Sequence, residues 1–282
     1  DVEKYPLKLK NFIVTDFTDH APAEIAWGTS KVAKDIPSPG LGKDFFNYPV
    51  WQSEDFQEFE QSILYIDPSG RGNDQTGYCV GRLLKGTVWV PEAGGLAGGY
   101  DEATLERLSQ MVKRYSVDTV VIESNYGDGM FASLLAPVLG RIAGNCAITE
   151  ERVSGQKETR IIDTIEPPLA NHRIVISPEV ARNKELMTQV SRITRDRGAL
   201  RHDDQVEALS GAVRYFTTKL SVDAQKKVLE EKRDEVLKEH KAFEDAWRTG
   251  KSDNPRSVVI GLPMPGMPQG RVPRRRRTGW GL

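Results

Sequence analysis

Ser62-Ile63-Leu64-Tyr65-Ile66-Asp67-Pro68-Ser69-Gly70 is the stretch on which the fold turns. Ile63 to Ile66 form a short apolar run that ends at Asp-Pro-Ser-Gly, the pattern of a buried strand entering a turn. Gly77 to Leu84 and Thr87 to Val90 read as two further strands, and short joins such as Lys85-Gly86 let the three pair as an antiparallel meander.

Outward from that meander, strands alternate with helices. Glu102 to Tyr115 carries Leu105, Leu108, Met111 and Val112 at helical spacing, with Asp101 placed to cap its start. Asp118 to Glu123 is a buried strand, since Val120, Val121 and Ile122 are consecutive and the chain then breaks into Asn125-Tyr126-Gly127-Asp128-Gly129. A helix over Met130 to Ile142, interrupted near Pro137, follows. Next come a strand near 147–153, a helix near 157–165, a strand at 174–176 and a helix after Pro178. Val206, Leu209, Val213, Phe216 and Leu220 mark one stripe of a helix from Asp203 to Leu220, a stripe expected to pack on the sheet. Three strands, then helix, strand, helix, strand and helix is the succession of a ribonuclease H-like α/β fold. Its mixed sheet has five or more strands, the fourth and fifth adding in parallel through helical crossovers.

The flanks are less regular. Residues 1–60 mix Pro, Gly, aromatics and charges without periodicity and read as a connector from an upstream domain, in keeping with a chain that opens at Asp1 without methionine. The core spans 61–220, a charged helix 221–249, and a flexible Pro-, Gly- and Arg-rich tail 250–282.

Composition narrows the class. With 38% hydrophobic and 28% charged residues, 282 residues suit one substantial core with a small appendage. The net charge is −1, and without the five arginines between Arg271 and Arg277 the remainder carries about −6. Binding a polyanion therefore needs local basic clusters or metal ions. Cys79 and Cys146 are the only cysteines, without C-x-x-C or nearby histidines; they read as buried reduced thiols, not as a zinc site or disulfide framework. No run approaches the ~18 apolar residues of a membrane span and no signal pattern opens the chain, so an intracellular setting without a membrane is expected.

The chemistry rests on acids. Asp67 ends the first strand of the meander, Glu123 ends the fourth, and Asp203, Asp204 and Glu207 open the last core helix. Each has an ordinary structural explanation. An Asp before Pro-Ser-Gly forms turns, and paired Asp residues cap helices and complement their dipoles. Their joint placement is different: strands one and four are neighbours in this fold, so Asp67 and Glu123 project side by side and the helix brings the third acid. Carboxylates suit hard cations, and two Mg²⁺ or Mn²⁺ ions about 3.5–4 Å apart clamp a scissile phosphate without a histidine base. Asp204 lies three residues before Glu207 on one helix side while Asp203 stands about 100° away. Against this, Asp204 points almost opposite the apolar stripe, so periodicity does not decide between the two; Asp204 is preferred with Asp203 close behind. Lys157 and Arg160, one helical turn apart, and Arg192, Arg195, Arg197 and Arg201, ahead of the acidic pair, offer a DNA track.

At these residues the sequence resembles the C-terminal nuclease domain of the large terminase subunit of short-tailed, podovirus-type bacteriophages. The resemblance is carried by ILYIDPSGRGNDQTGY (63–78), PEAGG (91–95), VVIESNYGDGMF (120–131), KETRIIDTIEP (157–167) and ITRDRGALRHDDQVEAL (193–209). It is specific over 62–216, looser at EKYPLKLK (3–10) and absent beyond Leu220. It implies a metal-dependent endonuclease that cuts concatemeric double-stranded viral DNA during packaging in the host cytoplasm. Asp67, Glu123, Asp204 and Asp203 then hold two Mg²⁺ or Mn²⁺ ions, with Asp74 assisting. Its implied partners are DNA, the portal protein, the small terminase subunit and further copies in a motor ring. The family's packaging ATPase is not expected here, because no G-x-x-x-x-G-K-S/T loop occurs. Related junction resolvases carry two acids three apart before Ala-Leu, as Asp204, Glu207, Ala208 and Leu209 do, although Glu207 is the longer acid. Two alternatives accompany this reading: a DNA-gripping or portal-docking module with little nuclease activity in isolation, and a junction resolvase or transposase-like nuclease on the same fold.

Overall fold

The computed structural model describes residues 4–28, 36–40, 44–69, 75–124, 129–144 and 146–249. Asp74, the Asn125–Asp128 loop and the 250–282 tail lie outside the described residues. The chain divides into a compact unit, residues 1–224, and a second unit, 225–282.

The first unit is built on a seven-stranded mixed sheet. In chain order its strands are β1 (Ile13–Val14), β6 (Gln61–Asp67), β7 (Thr76–Leu84), β8 (Thr87–Leu96), β9 (Thr119–Glu123), β10 (Ala147–Glu151) and β11 (Ile174–Ile176). They lie side by side in the order β1-β11-β8-β7-β6-β9-β10. β6, β7 and β8 form the expected antiparallel meander. β9 pairs parallel with β6 and β10 parallel with β9, while β11 adds parallel to β8 on the far side. β8 runs well past the expected Val90, because Glu92 to Leu96 keep pairing with Thr76 to Val80. Four shorter strands, β2 (His20–Pro22), β3 (Ile25–Gly28), β4 (Tyr48–Gln52) and β5 (Phe56–Glu58), form two small ribbons.

Residues 1–60 are therefore not simply a connector. Leu7, Leu9, Phe12 and Val14 are buried in the main core, and Ile13–Val14 pairs with Val175–Ile176 as an edge strand. Two-residue strands leave no periodic signature, which is why the stretch reads as irregular.

Two helix layers cover the sheet. α1 (Glu102–Arg114) and α2 (Met130–Ile142) pack on one face over Leu64, Ile66, Val120 and Ile122. Asp101 caps α1 by accepting from the Thr104 amide at 2.8 Å. Pro137 lies within α2 and does not end it. The opposite face, with Ile63, Tyr65 and Val121, is covered by α3 (Lys157–Ala170), α5 (Lys184–Arg192) and α6 (Asp204–Thr249). The helix expected after Pro178 is two, α4 (Pro178–Arg182) and α5, because Asn183 leaves helical geometry and its side chain caps α5 at the Leu186 amide. α6 spans both helices expected over 203–220 and 223–247. Cys79 is buried as expected, whereas Cys146 is only half-buried; both are free thiols.

Glycine sets how closely α6 approaches the strands. A Cβ on Gly77 would overlap the Asp204 carbonyl, one on Gly81 would crowd Phe216 and Ala212, and one on Gly211 would enter the Tyr65 ring. The closest contacts are thus made by small residues, not by the apolar stripe alone. Gln205 to Val213 are buried without a break, so the stripe is covered together with the rest of that turn. Gly211→Ala weighs two opposing effects. Alanine favours the helix by about 1 kcal/mol over glycine, but displacing a buried ring costs roughly 1–3 kcal/mol. A net loss of stability in urea denaturation is expected, and a stabilised variant would show that the ring yields freely.

Candidate active site

Strand alternation decides which face the acids occupy. Ile63 and Tyr65 belong to the α6 side of the sheet, so Asp67 continues on that side, and Val121 places Glu123 likewise. β6 and β9 are parallel and in register to Ile66 and Ile122, so the two acids emerge at the same strand ends. In β10, Glu151 stands beside Glu123 in register. Gly77 lies opposite Asp67, and the open space it leaves receives the backbone at Asp204. A missing side chain on one strand thereby brings the start of α6 over the acid on the next.

The charges register this convergence. Burial raises the Asp67 carboxyl well above the usual carboxylate range, and Glu207, Glu123 and Asp204 push it further while Lys157 opposes them. Burial also raises Glu123, followed by Glu207, against the pull of Arg160, Arg214 and the Tyr65 hydrogen bond. Asp67, Glu123, Asp204 and Glu207 thus form one electrostatic group.

Asp203 and Asp204 divide their roles. The Asp203 carbonyl accepts from the Glu207 amide at 2.9 Å, the first bond of α6, which makes Asp203 its N-cap. Its carboxylate pairs with Lys157 at 2.8 Å and is not among the main influences on Asp67. Asp204 is.

Lys157 and Arg160 do not form an open DNA track. Lys157 bridges Asp203 and Glu207, and Arg160 pairs with Glu207, which is only 3% exposed. Burial alone would lower the Lys157 ammonium, but Glu207 and Asp203 outweigh it and hold the charge. Among the described residues no three acids stand close enough to cage an ion. Arg195 is tied to Asp163 at 2.7 Å and to Glu166 at 3.4 Å. Arg192, Arg197 and Arg201 are exposed. The segment bearing Arg195 to Arg201 is anchored to the start of α3, where Gln156 donates to the Arg195 carbonyl at 2.8 Å and the Gly198 amide donates to Glu158 at 2.6 Å.

Sequence reading named Glu207 but passed over three members of the site, Tyr65, Glu151 and Arg214. Glu207 weighs most among the charges acting on both Asp67 and Glu123. Tyr65, fully buried, donates to Glu123 at 3.3 Å and accepts from Arg214 at 2.8 Å, and Arg214 also grips both oxygens of Glu151 at 2.9 and 3.2 Å. Asp204, Glu207, Gly211 and Arg214 are spaced at steps of three and four, a polar stripe that was available in the sequence. Its continuation beyond Glu207 to Arg214 goes unnoticed because the apolar stripe is the more regular. Burial keeps the Tyr65 hydroxyl protonated far above its ordinary range.

A mixed sheet with this order, with acids at the ends of neighbouring parallel strands and at the start of the last core helix, defines a ribonuclease H-like nuclease architecture. Residues 66–174 match the family described as Terminase Bacteriophage T7, Ribonuclease H-like domain. The chain is 39% identical over 260 residues to the large terminase subunit of Enterobacteria phage T3, an alignment covering 85% of this chain and 44% of that protein. The chain belongs to the terminase large-subunit family, by its ribonuclease H-like domain, and spans about half the length of the curated relative it matches. Solved structures are more distant. The nuclease domain of the large terminase subunit of bacterial virus Sf6, a mutant form with manganese, shares 9% identity at a TM-score of 0.43, over 55% of this chain and 88% of that one. The large terminase nuclease of thermophilic phage G20c shares 17% at 0.40, over 54% and 80%. Likeness at that level carries no argument.

Clustered, buried carboxylates burden the fold. An acid whose folded pKa lies above its unfolded value binds its proton more tightly in the fold, so stability falls as pH rises from the ordinary carboxylate range through the raised value. Asp67→Asn is expected to melt higher than the parent at pH 8 without divalent ions, by about 2–4 °C for each kcal/mol relieved. The advantage should shrink toward pH 4. Equal melting temperatures across that range would mean that Lys157 fully offsets the charge.

Proposed function

We propose that this chain is the nuclease part of a DNA-packaging terminase, a Mg²⁺- or Mn²⁺-dependent endonuclease that cuts concatemeric double-stranded viral DNA. The observation that carries it is the placement of Asp67 and Glu123 at the ends of neighbouring parallel strands, with the start of α6 at Asp204 laid over Gly77 beside Asp67. The donor set fits the ions: every donor is oxygen, which hard divalent cations prefer, and mutually repelling buried carboxylates await positive charge. Asp67, Glu123 and Asp204 would hold them, Asp203 alongside, with Asp74 in the undescribed 70–74 segment as a further candidate. Bound there, two ions supply an activated water and a counter-charge for the leaving oxygen.

The rest falls to the chain's own groups. Glu207, gripped by Lys157 and Arg160, fixes the first turn of α6 and keeps Asp204 over Gly77. Exposed Arg197 and Arg201, on the anchored segment leading to the acids, would hold backbone phosphates beside the site, with Arg195 and Arg192 extending the track. An upstream packaging ATPase domain, the portal protein, the small terminase subunit and other copies in a ring are proposed as this domain's setting. Among the described residues no helix is long and apolar enough to cross a membrane.

Plasmid nicking and linearisation in Mn²⁺ tests the proposal. Asp67→Asn, Glu123→Gln and Asp204→Asn should each lower the rate by about 10² or more, Asp203→Asn by less. Equal behaviour of wild type and Asp67→Asn would remove the assignment. The closure of Lys157 and Arg160 on the acids favours a second reading, a DNA-gripping module silent apart from its ATPase. It is distinguished by salt-sensitive DNA binding without cleavage at any metal concentration.

A further inference from the structure

Beyond the acids lies a chain of groups that the nuclease reading does not use. Glu151 of β10, Arg214 of α6 and Tyr65 of β6 join end to end and finish on Glu123. The direction of each hydrogen bond is dictated by chemistry. A guanidinium only donates, so Arg214 donates to the Tyr65 oxygen and to both oxygens of Glu151. Tyr65 has one hydrogen, and with Arg214 unable to accept, that hydrogen goes to Glu123 Oε2 at 3.3 Å.

The chain is firmly held. Tyr65 is fully buried, and its ring occupies the space where Gly211 lacks a side chain. Arg214 stands one helical turn beyond Gly211, with its guanidinium also near the face of the Tyr65 ring, 5.7 Å from the centroid. Glu151 and Glu123 are neighbours in the β10–β9 ladder. Without Arg214, two carboxylates would face the same strand ends with nothing to separate their tasks.

We propose that Tyr65 and Arg214 are positioning residues for metal binding. Arg214 holds Glu151 away from Glu123's task and, through the Tyr65 hydroxyl, fixes the orientation of the Glu123 carboxylate. The inference rests on the nuclease reading and specifies which groups orient its carboxylate. Such outer partners typically carry a 10- to 100-fold effect on metal affinity.

Tyr65→Phe is the sharpest test, because it removes one oxygen and keeps the ring against Gly211. Mn²⁺ titrated calorimetrically into the protein without DNA should bind about tenfold more weakly to Tyr65→Phe and to Arg214→Gln than to wild type. The Mn²⁺ concentration for half-maximal plasmid cleavage should rise in step, by more than the rate at saturating Mn²⁺ falls. Melting temperature confirms that each variant folds. If Tyr65→Phe, folded, binds Mn²⁺ as wild type does, the positioning role is overturned and the contact is structural only. If Arg214→Gln alone matches wild type, its part in the chain is overturned. A wild-type protein that neither binds Mn²⁺ nor cuts DNA is a separate result, one that overturns the nuclease reading and this inference with it.

Discussion

The close seating of α6 on β6 and β7 is the contact on which the rest depends. Three glycines, two on the strand and one on the helix, let backbone and ring atoms approach where any side chain would intervene. That approach lays the first turn of α6 over the ends of β6 and β9. Removing a Cβ is a small change, yet it determines whether acids more than a hundred positions apart share one environment.

The environment so formed is strained electrostatically. Asp67 and Glu123 are both raised by burial and by Glu207, and the fold answers with Lys157, Arg160 and Arg214 from two helices. Buried carboxylates persist only when charge of the opposite sign is close. Here the balancing cations come from the chain itself. The same pairing explains why Lys157 and Arg160, which look like a DNA track from their spacing, are turned inward, while Arg197 and Arg201 before α6 stay exposed.

The β6–β9 relationship was readable because short apolar runs ending in polar turns are strong strand signals and because β-α-β crossovers have few solutions. From that, Asp67 and Glu123 fall at neighbouring strand ends without coordinates. The N-terminal contribution was not readable, for Leu7, Leu9 and Phe12 sit in irregular backbone and Ile13–Val14 is too short to show alternation. Nor was the split between Asp203 and Asp204. Helical periodicity begins only once the helix has begun, and the capping geometry that assigns Asp203 to the boundary lies outside it.

The sequence alone determined which side chains are on offer: acids at the ends of predicted elements, and no histidine or cysteine cluster. Those follow from residue type and local spacing, which the chain carries wherever it goes. Tertiary structure decided which acids meet, which cations neutralise them, and that Tyr65, Glu151 and Arg214 stand behind Glu123. These are relations between strands and helices distant in the chain, set by how closely two surfaces pack, and no local pattern encodes a distance of that kind.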